Sequence, residues 1–392
     1  MNARLLALLL AAAAAWAQTR ASAVPLTTAN ADERIHFYER ALESSPENFQ
    51  MESDLVWAYL QKLRESANYA YLDRASKLVD KMLEKDGGNF TALRFENEID
   101  LQRHDFKTVA DRAEDMAKYH SSDAGNWGNL GDALMDLGKY DRAGQAYLKM
   151  FALGPNLGSY NRLAYFHFVT GDAQGAIQFM QDAIAAGSPL PENTAWCWAE
   201  LGDMYFKTGK LAEAAEAYRA GLRLFPALYR ASAGLGKVQA AQGQVEDAIQ
   251  NYKRAQSIVP LVEYAGALED LYMKAGLTSK AQEQRDLIET IEKLGRATNE
   301  KTNRNLALTL ADRDRHLDVA LRLMQAEIPV RGDVYTWDAL AWVLFKNGRL
   351  EEAKAASAKA LKLGTPEPIF YYHARCIASV SSAKASQPNS NE

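Results

Sequence analysis

The side chains of this sequence that could do chemistry are few, and their spacing argues against most of that chemistry. The densest metal-ligating group is Asp312-x-Asp314-x-His316-x-Asp318. A calcium loop would add a glycine at its sharp turn and a distal glutamate. Both are missing, so the group reads as a solvated turn. The six histidines (His36, His104, His120, His167, His316, His373) are scattered, with no HExxH and no Cys/His pair at zinc spacing. Gly234-Leu235-Gly236-Lys237 starts like a phosphate loop but lacks the Ser/Thr after the lysine and a strand before it. Gly125, Gly128 and Gly131 fall on a helical pattern, and no serine sits in a G-x-S-x-G elbow. Cys197 stands between Trp196 and Trp198 and reads as a core thiol. No catalytic constellation emerges, and neither a metal nor a cofactor is expected.

Composition narrows the class further. With 48% hydrophobic and 24% charged residues, the 392-residue chain is globular, which excludes a disordered, collagenous or multi-span membrane protein. Forty-five Lys+Arg against 50 Asp+Glu give a net charge of −5, without the basic excess of a nucleic-acid binder. Residues 1–17, MNARLLALLLAAAAAWA, place Arg4 before an apolar run that ends in the small-x-small site Ala15-Trp16-Ala17. This is the pattern of a cleaved export signal. A second site, Ala21-Ser22-Ala23, follows. The run falls short of the ~20 residues that span a bilayer. The expectation is an exported protein, periplasmic or secreted, with a linker over 18–30 and no direct membrane insertion after signal cleavage.

The elements that must carry any site come from one repeated pattern. Trp198, Leu201-Gly202 and Tyr205 are followed by Gly209-Lys210-Leu211, Ala214, Tyr218 and Pro226. Leu235-Gly236, Gly243, Ala248, Tyr252, Ala255 and Pro260 repeat it, the closing prolines 34 residues apart. Trp127, Leu130-Gly131, Gly138, Ala143, Tyr147 and Pro155 form an earlier copy; Trp337, Leu340-Ala341, Leu344, Gly348, Leu350 and Ala353 form a later one. Such a unit predicts two antiparallel helices, joined at a glycine with φ > 0 and closed by a proline. The small residues (Gly131, Ala164, Gly202 and Gly236 in the first helix, Ala143, Ala176, Ala214, Ala248 and Ala353 in the second) let the two helices approach closely.

Clear units are expected at 124–155, 157–188, 195–226, 229–260, 262–298 and 334–366, and weaker ones at 47–87, 88–121 and 301–332. About seven extra residues at 65–71 fall in the first weak unit's turn, and about six intervene at 189–194. With a half-unit at each end the array fills 31–378; residues 379–392 lack apolar periodicity and are expected to be disordered. Stacked units touch only their neighbours, so Cys197 and Cys376, 179 residues apart, are not expected to pair.

Over about residues 34–377 the pattern resembles the tetratricopeptide-repeat family. Asn193-Thr-Ala-Trp-Cys197 and Asp333-Val-Tyr-Thr-Trp-Asp-Ala-Leu-Ala-Trp342 are similar to an exported bacterial group of such proteins. In that group another helix completes the half-unit after Phe370-Tyr-Tyr-His373; here the last apolar face is expected to be exposed or covered by a partner. The resemblance implies an all-α fold, a right-handed α-solenoid of stacked helix-turn-helix repeats. It implies a non-catalytic scaffold or adaptor outside the cytoplasm that binds peptide segments in its concave groove. The alternative is a recognition subunit of an envelope enzyme, or of an assembly or secretion complex.

It also implies that first helices line the groove. That places Asn161, Tyr165, Phe168, Trp196, Asp203, Phe206, Lys207, Arg230, Lys237, Asp270, Met273, Lys274, Asp338, Trp342, Phe345 and Lys346 against a partner, free of core duty. Their mixed charges and aromatic rings suit a protein or peptide, not a nucleic acid or a membrane. Oligomeric state has no signature in the sequence.

Overall fold

The computed structural model describes residues 30–297 and 302–385. The expected leader, the linker up to residue 29 and residues 386–392 of the expected tail lie outside them. The described residues form twenty helices and no strand. Helix α1 is Ala31–Ser44. Nine hairpins follow: α2 Phe49–Ser66 and α3 Ala70–Lys85; α4 Phe90–Gln102 and α5 Phe106–Tyr119; α6 Ala124–Asp136 and α7 Tyr140–Leu153; α8 Leu157–Val169 and α9 Ala173–Ala186; α10 Pro191–Lys207 and α11 Leu211–Leu224; α12 Tyr229–Ala241 and α13 Val245–Ile258; α14 Val262–Lys274 and α15 Thr278–Ala297; α16 Arg304–Asp312 and α17 Leu317–Glu327; α18 Val334–Lys346 and α19 Leu350–Ala360. Helix α20, Pro368–Ala385, comes last. The chain is an all-α, right-handed α-solenoid.

Local chemistry sets the helix ends. Asn48, Asn89, Asp123, Asn156 and Asp333 cap α2, α4, α6, α8 and α18, each side chain accepting a backbone N–H of the first turn. Such caps contribute about 0.5–2 kcal/mol apiece. The hairpin turns pass through a left-handed residue, Gly138 at φ 69° and Gly171 at φ 96° among them; in the α4–α5 turn His104 takes that conformation at φ 62°.

Three boundaries differ from the sequence reading. The extra residues at 65–71 do not widen a turn: α2 runs on to Ser66 and α3 begins at Ala70. Residues 191–194 of the intervening 189–194 segment become the first turn of α10, with Pro191 at its N-terminus, where the missing N–H costs nothing. The tail expected to be disordered from Ser379 is helical through Ala385, because α20 continues past its buried Ile377.

One packing device recurs. A Cβ at Gly131 would lie 2.2 Å from the Tyr147 ring, one at Gly202 2.6 Å from Tyr218, and one at Gly236 2.7 Å from Tyr252. The tyrosine of the second helix therefore lies flat on the glycine of the first. Its hydroxyl then reaches the next first-helix residue, donating to Asp132 from Tyr147 (2.8 Å) and to Asp203 from Tyr218 (2.7 Å). Arg162 and Arg230, from the following units, engage the same aspartates at 2.7 and 3.6 Å. Glycine, tyrosine, aspartate and the next arginine thus couple packing within a unit to stacking between units.

The array does not stay open. The Gly332 N–H donates to the Asp136 carbonyl (2.9 Å), the Val334 N–H to the Tyr140 hydroxyl (2.8 Å), and the Thr365 hydroxyl to the Val169 carbonyl (2.5 Å). Arg331 pairs with Asp136 at 3.0 Å and Lys207 with Glu367 at 2.8 Å. Val334 and Phe370, both fully buried, join one apolar core with Phe106, Leu130, Tyr147 and Val169. One superhelical turn therefore closes on itself, and the α18–α20 segment seats on the turns of the α6–α9 units. The premise that units touch only their neighbours fails along this seam. Cys197 and Cys376 are both free thiols, the first fully buried, which pushes it up to about 12.

Candidate functional site

Closure encloses the concave face as a lumen. Four cavities follow one another along it, of about 550, 460, 280 and 350 Å³. The first and second share Asp132, Asn161, Arg162 and Trp196; the second and third share Asp203 and Arg230; the third and fourth share Glu263. Most lining residues come from first helices, α2 through α18; Tyr147 and Tyr252 reach in from second helices, and 187–189 from a connection. Cβ atoms three and four apart share one helix face, so each first helix presents one stripe to the lumen.

The stripes are charged and largely self-paired. Arg162 grips Asp132 through Nε (2.9 Å) and Nη2 (2.7 Å). Arg230 reaches Glu200 at 2.6 Å and lies over the Trp196 ring at 4.3 Å, a cation–π contact. Burial alone would raise the Asp203 carboxyl, but Lys237, Arg230 and Lys207 outweigh it and hold it at about 2. Arg304 binds both Asp333 and Thr336 beside Tyr335. Pre-oriented ions and planar rings on a fixed backbone suit recognition, since little side-chain freedom is left to lose on binding.

The residues expected at the groove divide. Asn161, Tyr165, Trp196, Asp203, Lys207, Arg230, Lys237 and Asp270 all line the cavities. Phe168, 2% exposed, is core instead, packed against α9 and α10. Asp338 and Trp342, 3% and 6% exposed, are also buried, because α20 lies on them. His373 bonds Asp338 at 2.9 Å and stacks on Trp342 at 4.2 Å, and the indole N–H donates to Asp312. Phe345 stacks on Trp342, and Lys346 pairs with Asp314 across the units. Phe206 is half-buried with the Lys237 ammonium over its ring; Met273 and Lys274 are exposed at the end of α14, outside the four cavities. Lys207 lines the lumen but is not free of core duty: it pairs with Glu367 and lies over Phe168 and Tyr335.

Other lumen residues went unread in the sequence. Asp132 follows Leu130-Gly131 as Asp203 follows Leu201-Gly202, so the same count would have found it. Trp57, Arg64, Glu98 and Glu192 come from weak units or the insertion, where no anchor starts the count. Arg64 and Glu192 meet at 3.1 Å, 128 residues apart in sequence.

The aspartates at 312–318 disperse. Asp312 accepts from Trp342, Asp314 pairs with Lys346, His316 meets Glu292 at 2.5 Å and Asp318 pairs with Arg322. Among the described residues no three His, Cys, Asp or Glu gather to hold a metal ion, and no helix is long and apolar enough to cross a membrane.

Family models described as tetratricopeptide repeat match residues 124–155, 156–227, 199–262 and 334–363. No curated protein matches the sequence. Among solved structures, the APC/C hetero-tetramer Cut9–Hcn1 is similar at 15% identity and TM-score 0.49, over 86% of this chain and 58% of that one. The human IFIT1 dimer with PPP-AAAA is similar at 16% identity and TM-score 0.47, over 83% and 87%. MamA is similar at 23% identity and TM-score 0.36, over 43% and 97%. The chain thus spans 58% of the length of the Cut9–Hcn1 chain that it matches.

Proposed function

We propose that this chain, a tetratricopeptide-repeat protein, is a non-catalytic protein-interaction scaffold that acts outside the cytoplasm and holds an extended polypeptide segment in its lumen. The observation that carries the reading is the unbroken row of four cavities lined by first helices. A run of linked cavities suits a chain-like ligand better than a compact one. Rings such as Tyr165 and Trp196 offer apolar anchors, and charges of both signs fix register. Export is supported by the sequence of residues 1–17.

The test compares two double variants. Asn161→Ala with Tyr165→Ala removes lumen contacts from residues outside the ion pairs and outside the seam. Tyr119→Ala with Leu148→Ala trims the second helices, where these side chains are 79% and 60% exposed. Both should melt within about 0.5 kcal/mol of the native chain. Capture of the partner that the native chain retains from the envelope or culture-medium fraction should fall at least about tenfold (about 1.4 kcal/mol) for the lumen pair alone. Unchanged capture by the lumen pair, or equal loss by both, would overturn the reading.

A further inference from the structure

Five charged side chains line the first cavity, and four of them are paired: Arg64 with Glu192, and Arg162 with Asp132. The fifth, Glu98 on α4, has a carboxylate with no ion pair or side-chain hydrogen bond among the described residues. The acids of the lining therefore outnumber its bases by one. Burial pushes the Glu98 carboxyl above its usual range, against the pull of Arg94, Arg64 and Arg162. A partly desolvated carboxylate is most stable with a cation beside it.

Two more features of the same wall favour a cation. Trp57 and Trp196 both line the cavity, and indole faces attract ammonium and guanidinium groups; Arg230 already lies over the Trp196 ring, which leaves the Trp57 indole as the ring for an added cation. The side-chain amides of Gln102 and Asn161 also line it without a hydrogen bond to another described side chain, leaving their oxygens to accept from a cation's N–H groups. An anion would find Arg64 and Arg162 already engaged. The volume, about 550 Å³, admits a long side chain together with its flanking backbone. The cavity also runs into the next through Asp132, Asn161, Arg162 and Trp196, so a bound backbone has somewhere to continue.

We infer that this cavity receives one lysine or arginine side chain of the bound polypeptide, its cation meeting Glu98 on the wall that Trp57 also lines. The inference rests on the scaffold reading and names the residue that the scaffold selects.

Capped pentapeptides Ac-Ala-Ala-Xaa-Ala-Ala-NH2 test it, with Xaa lysine, arginine, Nε-acetyllysine or glutamate, followed through the indole N–H resonances of Trp57 and Trp196 in the full chain. The lysine and arginine peptides should shift both resonances and bind at least about tenfold tighter than the acetylated and glutamate peptides. Glu98→Gln, which keeps the side-chain shape and breaks no pair, should abolish that preference while leaving the melting midpoint unchanged. Equal binding of the acetylated peptide, or an undiminished preference in Glu98→Gln, would overturn the assignment. Butylammonium chloride shifting the same indoles with the affinity of the lysine peptide would also overturn it, marking a free-amine site. Failure here, with partner capture still lost in the Asn161/Tyr165 variant, removes only the lysine or arginine specificity. Persistent lysine-peptide binding without that loss of capture removes the scaffold reading and leaves the site.

Discussion

Gly138→Ala should cost about 2–4 kcal/mol in urea unfolding, whereas Gly243→Ala, at a matching turn, should cost only about 1 kcal/mol. Both glycines sit at left-handed φ, 69° and 78°, so alanine meets the same local strain at each. The surroundings differ. A Cβ at Gly138 would lie 2.5 Å from the Gly332 carbonyl oxygen, a backbone atom of the residue whose N–H donates to Asp136 across the seam. At Gly243 nothing lies within 4 Å. Backbone cannot swing aside as a flexible side chain can, so Gly138→Ala must part the seam or distort it. Equal costs at the two turns would mean that the seam is open in solution.

Glu269→Gln should be the most destabilising single polar change, at about 3–5 kcal/mol. Its carboxylate, 5% exposed, accepts from Arg285 at 2.8 Å, Arg313 at 2.9 Å and Arg315 at 2.7 Å, which joins α14, α15 and the α16–α17 turn. Gln would leave three guanidinium groups facing one neutral amide. Burial alone would raise this carboxyl, but the three arginines outweigh it and hold it at about 2. The unfolded chain titrates near the ordinary glutamate value, about 4.3. The folded value is the lower one, so the stabilisation is complete above about pH 4.5 and is lost as pH falls through about 2. The gap between native chain and variant should therefore be widest at neutral pH and narrow in acid melts. A gap that stayed constant from pH 7 to pH 2 would contradict this charge network.

The sequence made legible whatever a 34-residue period repeats. The left-handed turns, the small residues at helix crossings and the tyrosines that need them all recur, so their roles could be read from any one good copy. Lys237 and Asp203 were found in the lumen because the Leu-Gly anchor fixes the stripe of each first helix. What repeats poorly was lost. Glu98 and Trp57 sit in units without the Leu-Gly anchor. Both ends of the turn assigned to 65–71, and residues 191–194 of the insertion at 189–194, became helix because they could extend an adjoining one. Trp342 and Asp338 were misplaced since only α20, an atypical last helix, buries them. Closure left no periodic trace at all. Gly332 and Asp136, 196 residues apart, meet because small rotations between units add up to a full turn, and that sum is written in no single repeat.

The closed turn is most directly tested by site-resolved hydrogen exchange at the Gly332 and Val334 amides in the unmodified chain. Neither has a partner in its own segment: Gly332 lies in the connection between α17 and α18, and Val334 opens α18, where the first amides have no intrahelical acceptor. Their acceptors, the Asp136 carbonyl and the Tyr140 hydroxyl, belong to a unit almost 200 residues away. With the turn closed, both amides should be protected to an opening free energy close to that of the α6–α7 core, and Tyr140→Phe should release Val334 while Gly332 stays protected. Exchange of both amides at the rate of free loop backbone in the native chain would contradict closure, and with it the enclosed lumen.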